Sequence, residues 1–433
     1  MSKTNIIPSR IADGVTLYYI EDSKYKTNYT NVYFTLPLTS ENATKASLAA
    51  KLLKRGSKRY PSMAELNSAL DMNYASTLSF SSFKEGEKTV FAMSLATMKN
   101  SFAPNGEDIY AEAIGIAFDA LLCPLTENGG FKEEYFESEK KNLKDSILSQ
   151  INNKASYSRT RFISEMCEGE AYGTNGEGDL SALEGITSAD LYDFLKNMIE
   201  TAVCDIYFVG TESEERVKEL NKKAFSGIKR ACGERIKTSL VTDIKGKNVT
   251  ETLDIAQAHL WIGFRTPATY SSPDYLKFVL FNMVMGGDVS SKMFMNIREK
   301  LSLCYTCYSA LDGMKGIFMA YAGIDPENKE KTLNAFFEEL ENVRAGKVSE
   351  TELEDAKKAY INRMKEIQDN PSLLPAWFHM RLESDIPRDP SSDAEEIARL
   401  TLEDVIWAAG QIEKDTVYFL TKTETESYSE VME

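Results

Sequence analysis

Thr187-Ser-Ala-Asp-Leu-Tyr-Asp-Phe-Leu-Lys-Asn-Met-Ile199, followed by Asp205-Ile-Tyr-Phe-Val-Gly210, decides the fold, because the chain repeats this plan near its end. Thr187 with Asp190 three residues on is a helix-opening pair, and the apolar positions from Leu191 to Ile199 recur at helical spacing. A short connection then leads to a run rich in β-branched and aromatic residues, which reads as a strand. Roughly 210 residues later Thr401-Leu-Glu-Asp404 opens a helix through Ile412, and Thr416-Val-Tyr-Phe-Leu420 is again a strand.

Working outward, the other elements pair in the same way. Asn31–Leu36 and His259–Phe264 are strands, each followed by a loop and a helix, from about Ala43 and from about Pro273. Thr89–Leu95 and Ile317–Ala322 are strands leading into helices. The first of those helices puts Ala113, Ile116, Ala117, Ala120 and Leu121 on one face, the second Leu333, Phe336, Phe337, Leu340 and Val343. A longer polar helix follows each: about Lys132 to Asn153, and from the capping box Ser349-Glu-Thr-Glu352 to about Ile367, before Pro371. The expectation is an α+β chain of two tandem homologous α/β-sandwich domains, each a mixed or antiparallel sheet with helices packed on it. The boundaries read 1–228 and 249–433, joined by a Lys-, Arg- and Gly-rich linker at 229–248.

Composition excludes several function classes. The 433 residues suit two domains of roughly 200 residues. There is no apolar run of membrane-spanning length, and Met1-Ser-Lys-Thr-Asn-Ile-Ile-Pro8 lacks a signal-peptide core, so a cytoplasmic protein is expected. A net charge of -16 disfavours binding to nucleic-acid phosphates. His259 and His379 stand alone in sequence and read as structural residues. The six cysteines include a single C-x-x-C, Cys304-Tyr-Thr-Cys307. On a strand its thiols point to opposite faces, against a zinc knuckle or redox pair and for buried structural thiols. There is no phosphate-binding G-x-x-x-x-G-K-[ST], no G-x-S-x-G and no dinucleotide fingerprint.

Gly286-Gly-Asp-Val-Ser-Ser-Lys-Met-Phe-Met-Asn-Ile-Arg-Glu-Lys300 with Tyr305 is similar to the second-domain signature of the pitrilysin-like M16 peptidase family, and Gly316-Ile-Phe-Met-Ala-Tyr-Ala-Gly-Ile-Asp-Pro326 to the strand and helix start that follow it there. The duplicated layout is similar over nearly the whole chain, and implies the LuxS/MPP-like metallohydrolase architecture. A second passage, Ser47-Leu-Ala-Ala-Lys-Leu-Leu-Lys-Arg-Gly56-Ser57, stands where family members carry H-x-x-E-H. Aligned on Gly56, Ser47 and Lys51 replace the two histidines and Ala50 the glutamate. Glu139 matches the family's earlier acidic position on the long helix, which puts Ser146 at the third zinc ligand. Two imidazoles one helical turn apart grip a zinc ion while the glutamate activates its water. Serine, alanine and an ammonium do none of this. No histidine occurs before residue 259, so no small shift of the alignment restores the motif.

What the resemblance leaves in place is Arg298 and Tyr305. In family enzymes the matching pair reaches the opposing half's zinc site and stabilises the oxyanion. The implied function is a zinc-less subunit of a heterodimeric M16 metalloendopeptidase. It would have no cofactor of its own, would bind peptide, and would pair with a zinc-bearing M16 subunit. Within the two-subunit bacterial branch the sequence looks most like YmfF-type subunits, which occur beside a zinc-bearing YmfH-type partner. Gly286 and Gly287 allow the close backbone approach that a peptide or partner strand needs. The alternative is a homodimeric peptide-binding scaffold with no peptidase chemistry.

Overall fold

Alternation of β-branched and aromatic residues gives thirteen strands among the residues described by the computed structural model, which are 3–423 except 5, 242, 243, 245, 383, 385 and 387. Met1, Ser2 and Asn5 of the N-terminal reading, and Thr242, Asp243 and Lys245 of the expected linker, lie outside the described residues. The strands are β1 (Ile7–Ala12), β2 (Val15–Glu21), β3 (Thr27–Pro37), β4 (Thr77–Glu85), β5 (Lys88–Met98), β6 (Thr126–Glu127), β7 (Gly130–Phe131), β8 (Val203–Gly210), β9 (Lys247–Leu253), β10 (Ala258–Arg265), β11 (Cys304–Asp312), β12 (Ile317–Ile324) and β13 (Glu413–Lys422).

The first sheet has the order β1-β2-β8-β3-β5-β4, and the second β11-β12-β10-β13-β9. Reversed, the second reads β9-β13-β10-β12-β11 and matches β2-β8-β3-β5-β4 strand for strand. In each sheet one pair is parallel, β2 with β8 and β13 with β9, and it falls at the same place. Only β1 lacks a counterpart, and β6 with β7 forms a separate small hairpin. The expected capping box at Ser349–Glu352 is made, and so are boxes at the paired helix openings Thr187–Asp190 and Thr401–Asp404, ahead of helices Ser188–Thr201 and Leu402–Gly410. The expected α+β sandwiches of sheet and helix are therefore present.

One face of each sheet packs on its own helices. Val32, Phe34, Phe91, Ile206 and Phe208 meet helices Ser40–Leu52, Ile109–Leu122 and Ser188–Thr201, while Leu260, Ile262, Phe264 and Phe318 meet Tyr275–Asn282, Lys329–Arg344 and Leu402–Gly410. The opposite faces are covered by exchange. Helix Lys154–Met166 crosses to the second sheet, where Phe162 stacks on Trp261 at 5.4 Å and Ser158 accepts a 2.9 Å hydrogen bond from the indole. Helix Leu373–His379 crosses to the first sheet, setting His379 against Tyr33 at 4.7 Å and against Tyr207. Each fully buried aromatic contributes about 1.5–3 kcal/mol, so the exchange welds the two sheets together.

Two differences from the sequence reading have local causes. The long polar helix stops at Ser149, earlier than Asn153, and a new helix starts at Lys154 because the Asn153 side chain accepts from Ser156 N and caps it. The C-x-x-C is not split between faces. Strand β11 bulges at Tyr305, so Cys304 faces Ile324, Thr306 faces Gly323 and Cys307 faces Ala322. The extra residue restores both cysteines to one face, and both enter the second sheet's core. The linker has no helix or strand among its described residues before Lys247, yet it is anchored. Arg230 donates to the Ile199 and Ala202 carbonyls, Arg235 to Asp205 at 2.8 Å, and Ser239 N to Glu87 at 3.0 Å. Among the described residues no helix is long and apolar enough to cross a membrane.

Candidate functional site

The positions matched to a zinc site lie on two packed helices, Ser40–Leu52 and Glu133–Ser149. Leu48, Ala49, Ala50 and Leu52 of the first all enter the sheet core, which leaves Ser47 and Lys51 half-buried beside them. The Ser47 hydroxyl shares a 2.9 Å hydrogen bond with Ser82 on β4. Ala50 is buried and offers no base. Glu139 is held by the Arg55 guanidinium and by Asn142 at 3.1 Å. Ser146 uses its carbonyl to accept from Ser149. A hydroxyl already paired, a methyl and an ammonium do not fit a zinc ion. Among the described residues no three His, Cys, Asp or Glu side chains gather in a way that holds a metal.

Arg298 and Tyr305 come together at the edge of the second sheet. Helix Tyr275–Asn282 continues into wide i→i+5 turns at Met283–Gly287, and a second such segment runs over Met293–Lys300. Its last turn closes through Leu301 N to Asn296 O at 3.0 Å, and Ser302 then takes a positive φ of 53° before β11 begins. Segments of this winding are rare and gather at functional sites, as does a non-glycine residue in that backbone region. The bulge pushes Tyr305 outward to 60% exposure. Arg298 Nε donates to the Tyr305 carbonyl at 3.0 Å, its Nη1 pairs with Glu299 at 2.9 Å, and the guanidinium lies 4.5 Å from the Phe294 ring centre. The Tyr305 hydroxyl donates to Asp325 at 3.0 Å. That hydrogen bond, then the carboxylate's charge, pushes the phenol pKa up, so it remains a proton donor at neutral pH. Arg298, Tyr305, Asp325 and Cys304 line an open pocket of about 360 Å³.

Asp325 and Phe294 were not singled out in the sequence. The signal available was Asp325-Pro326, a helix-start pair whose aspartate instead turns to Tyr305. Gly286 packs against β11 at Ser309, four residues beyond Tyr305. A Cβ there would sit 2.5 Å from Ser309 N, so what approaches the glycine is strand β11 itself. The Gly287 carbonyl accepts from Arg363 at 3.3 Å.

Residues 185–360 match the family profile described as Peptidase M16 inactive domain. The chain is 29% identical over 424 residues to the probable inactive metalloprotease YmfF of Bacillus subtilis, covering 98% of this chain and 99% of that protein. The chain thus resembles the M16 peptidase family over nearly its whole length. The chain also superimposes on a conserved protein from Enterococcus faecalis V583 with TM-score 0.90 at 26% identity, over 98% of this chain and 100% of the other. A Pseudomonas fluorescens protein described as a peptidase M16 inactive domain matches in fold, with TM-score 0.80 at 17% identity over 98% and 100%. The fold is thus shared with these structures over nearly the whole chain.

Proposed function

We propose that this chain is the zinc-less subunit of a two-subunit M16 metalloendopeptidase, binding peptide and presenting Arg298 and Tyr305 to a zinc site on its partner. The observation that carries the reading is the exposed, hydrogen-bonded Arg298–Tyr305 pair beside an open pocket, in a chain whose own metal positions hold Ser47, Ala50, Lys51 and Ser146. A fixed guanidinium and a phenol donate where negative charge develops on a cleaved carbonyl. The same reading includes domains at 1–228 and 249–433 with the linker at 229–248, a cytoplasmic location, and zinc supplied by a YmfH-like partner. Gly286, the seat of the strand that bears Tyr305, and Gly287 enter it as candidate peptide-binding positions.

A second reading, a homodimeric peptide-holding scaffold, is favoured by one feature: Glu299, Phe294 and Asp325 already satisfy Arg298 and Tyr305 within the chain. The test is purification of the tagged protein under native conditions, followed by a peptide-cleavage assay. A stoichiometric zinc-bearing M16 partner and cleavage only in the mixture support the heterodimer. Recovery of this chain alone, binding peptides without cleaving them, supports the scaffold.

A further inference from the structure

The bulge that exposes Tyr305 also brings together two thiols that the sequence separates. From Cys304 to Cys307 strand β11 advances three residues, while its partner β12 advances only from Ile324 to Ala322. At about 3.3 Å per residue, the cysteines thus lie ~7 Å apart between α-carbons and on one face, whereas a regular strand would set them ~10 Å apart on opposite faces. A disulfide spans α-carbons about 4.4–6.8 Å apart, so the bulged geometry comes within reach of one and the regular strand does not. The two side chains are 8% and 7% exposed, and Cys304 also lines the pocket that holds Arg298 and Tyr305. A small oxidant has a path to Cys304, with Cys307 directly behind it.

We propose that Cys304 and Cys307 are a reversible dithiol–disulfide pair, oxidised by a hydroperoxide entering the Arg298 pocket, which clamps the bulge that presents Tyr305. The Cys304 thiolate attacks the peroxide oxygen, the O–O bond breaks, and the departing oxygen takes a proton and leaves as water or alcohol. The Cys307 thiol then attacks the resulting Cys304 sulfenic acid. The S–O bond breaks, the two sulfurs join, and the hydroxyl leaves with the Cys307 proton as a second water. Two thiols are oxidised by two electrons and one peroxide is reduced. A hydrogen bond from Cys307, helped by the Arg298 charge, holds the Cys304 thiol pKa below the ordinary cysteine value against burial, and Cys307 is pushed up. That difference sets Cys304 as the attacking sulfur and Cys307 as the resolving one.

The proposal does not depend on the peptidase reading, because the readout is thiol chemistry in the intact chain. Treat the purified protein with hydrogen peroxide, alkylate free thiols in denaturant, and map the peptides by mass. The expected product is a 304–307 peptide lighter by two hydrogens with neither cysteine alkylated, reversed by dithiothreitol. In Cys307→Ser the Cys304 sulfenic acid should persist and be trapped by dimedone, about tenfold more than in the unaltered chain, where the resolving thiol removes it. Alkylation of both cysteines at a peroxide dose that oxidises the exposed Cys123 overturns the proposal. Overoxidised Cys304 beside an alkylated Cys307, or a bridge to any other cysteine, overturns it equally.

Discussion

The Lys315 ammonium meets the Glu87 carboxylate at 2.6 Å, with the lysine side chain 0% exposed. Lys315 lies in the β11–β12 turn and Glu87 in the β4–β5 turn, so equivalent hairpins of the two halves touch tip to tip. Glu170 at 2.7 Å and the Ser239 carbonyl at 2.7 Å complete the contact, drawing in the linker. Removing one partner of a buried ion pair leaves the other charge uncompensated. Lys315→Met should therefore cost about 3 kcal/mol, the lower end of the usual 3–5, since Ser239 and Arg265 still serve Glu87 and Glu170. A urea midpoint unchanged in Lys315→Met would show the contact to be dispensable. Coupling in the cycle with Glu87→Gln would confirm that the pair acts directly.

Stability should depend on pH through His379. Its ring lies 3.0 Å from Glu85 and 3.6 Å from Asp205, with Lys88 and Arg235 flanking the same carboxylates. Burial alone lowers the imidazole pKa, but the charges and hydrogen bonds of Asp205 and Glu85 raise it above the free value. A raised folded pKa means stability that is fully present below about pH 6.5 and lost as pH rises through the folded value. Burial raises the pKa values of Glu85 and Asp205, but their cationic partners depress them overall, so their contribution runs the other way and is lost in acid. Between pH 6 and 9 the unaltered chain should lose stability that His379→Gln does not lose. Parallel curves for the two proteins would exclude the linkage.

If the chain acts as proposed, Tyr305→Phe in the assembled peptidase removes only the donor offered to the reacting oxygen. Turnover should fall about a hundredfold with little change in KM, as for other donors used in the transition state. A rise in KM alone would assign Tyr305 to substrate binding. Unchanged kinetics would leave the pair as inherited architecture.

Gly286 tests how tightly β11 is seated. Gly286→Val forces atoms against Ser309 N and the Met293 sulfur, at 2.5 and 2.7 Å from the new Cβ. Overpacking of this kind costs about 1–3 kcal/mol and should displace the strand that carries Tyr305. Thermal denaturation measures the first effect, and the peptide-cleavage assay the second.

The alignment of the lost metal site is checked by rebuilding it. Ser47→His, Ala50→Glu, Lys51→His and Ser146→Glu together should bring a zinc-dependent rise in melting temperature that the unaltered chain does not show. No response to zinc in the fourfold variant would mean that these positions do not converge.

The duplicated plan was readable because caps and strand alternation are local: Thr187 and Thr401 each bond a residue three positions away, whatever the rest of the chain does. The missing zinc site was readable from residue identity alone, since no histidine precedes residue 259. Helix Lys154–Met166 was not read from the sequence, because its apolar residues face the other half's sheet. His379 was read as structural, but its burial and its partners Glu85 and Asp205 were not, because those partners lie far away in sequence.

Element types, their repetition and the lack of an H-x-x-E-H motif follow from side-chain identity and short-range spacing, and so were legible in the sequence. Which helix covers which sheet, that Lys315 meets Glu87, and that Cys304 and Cys307 share a face came only from the three-dimensional arrangement. Pairing register and burial of charge depend on partners far along the chain, and one bulged residue opposite Gly323 reverses what strand periodicity alone prescribes.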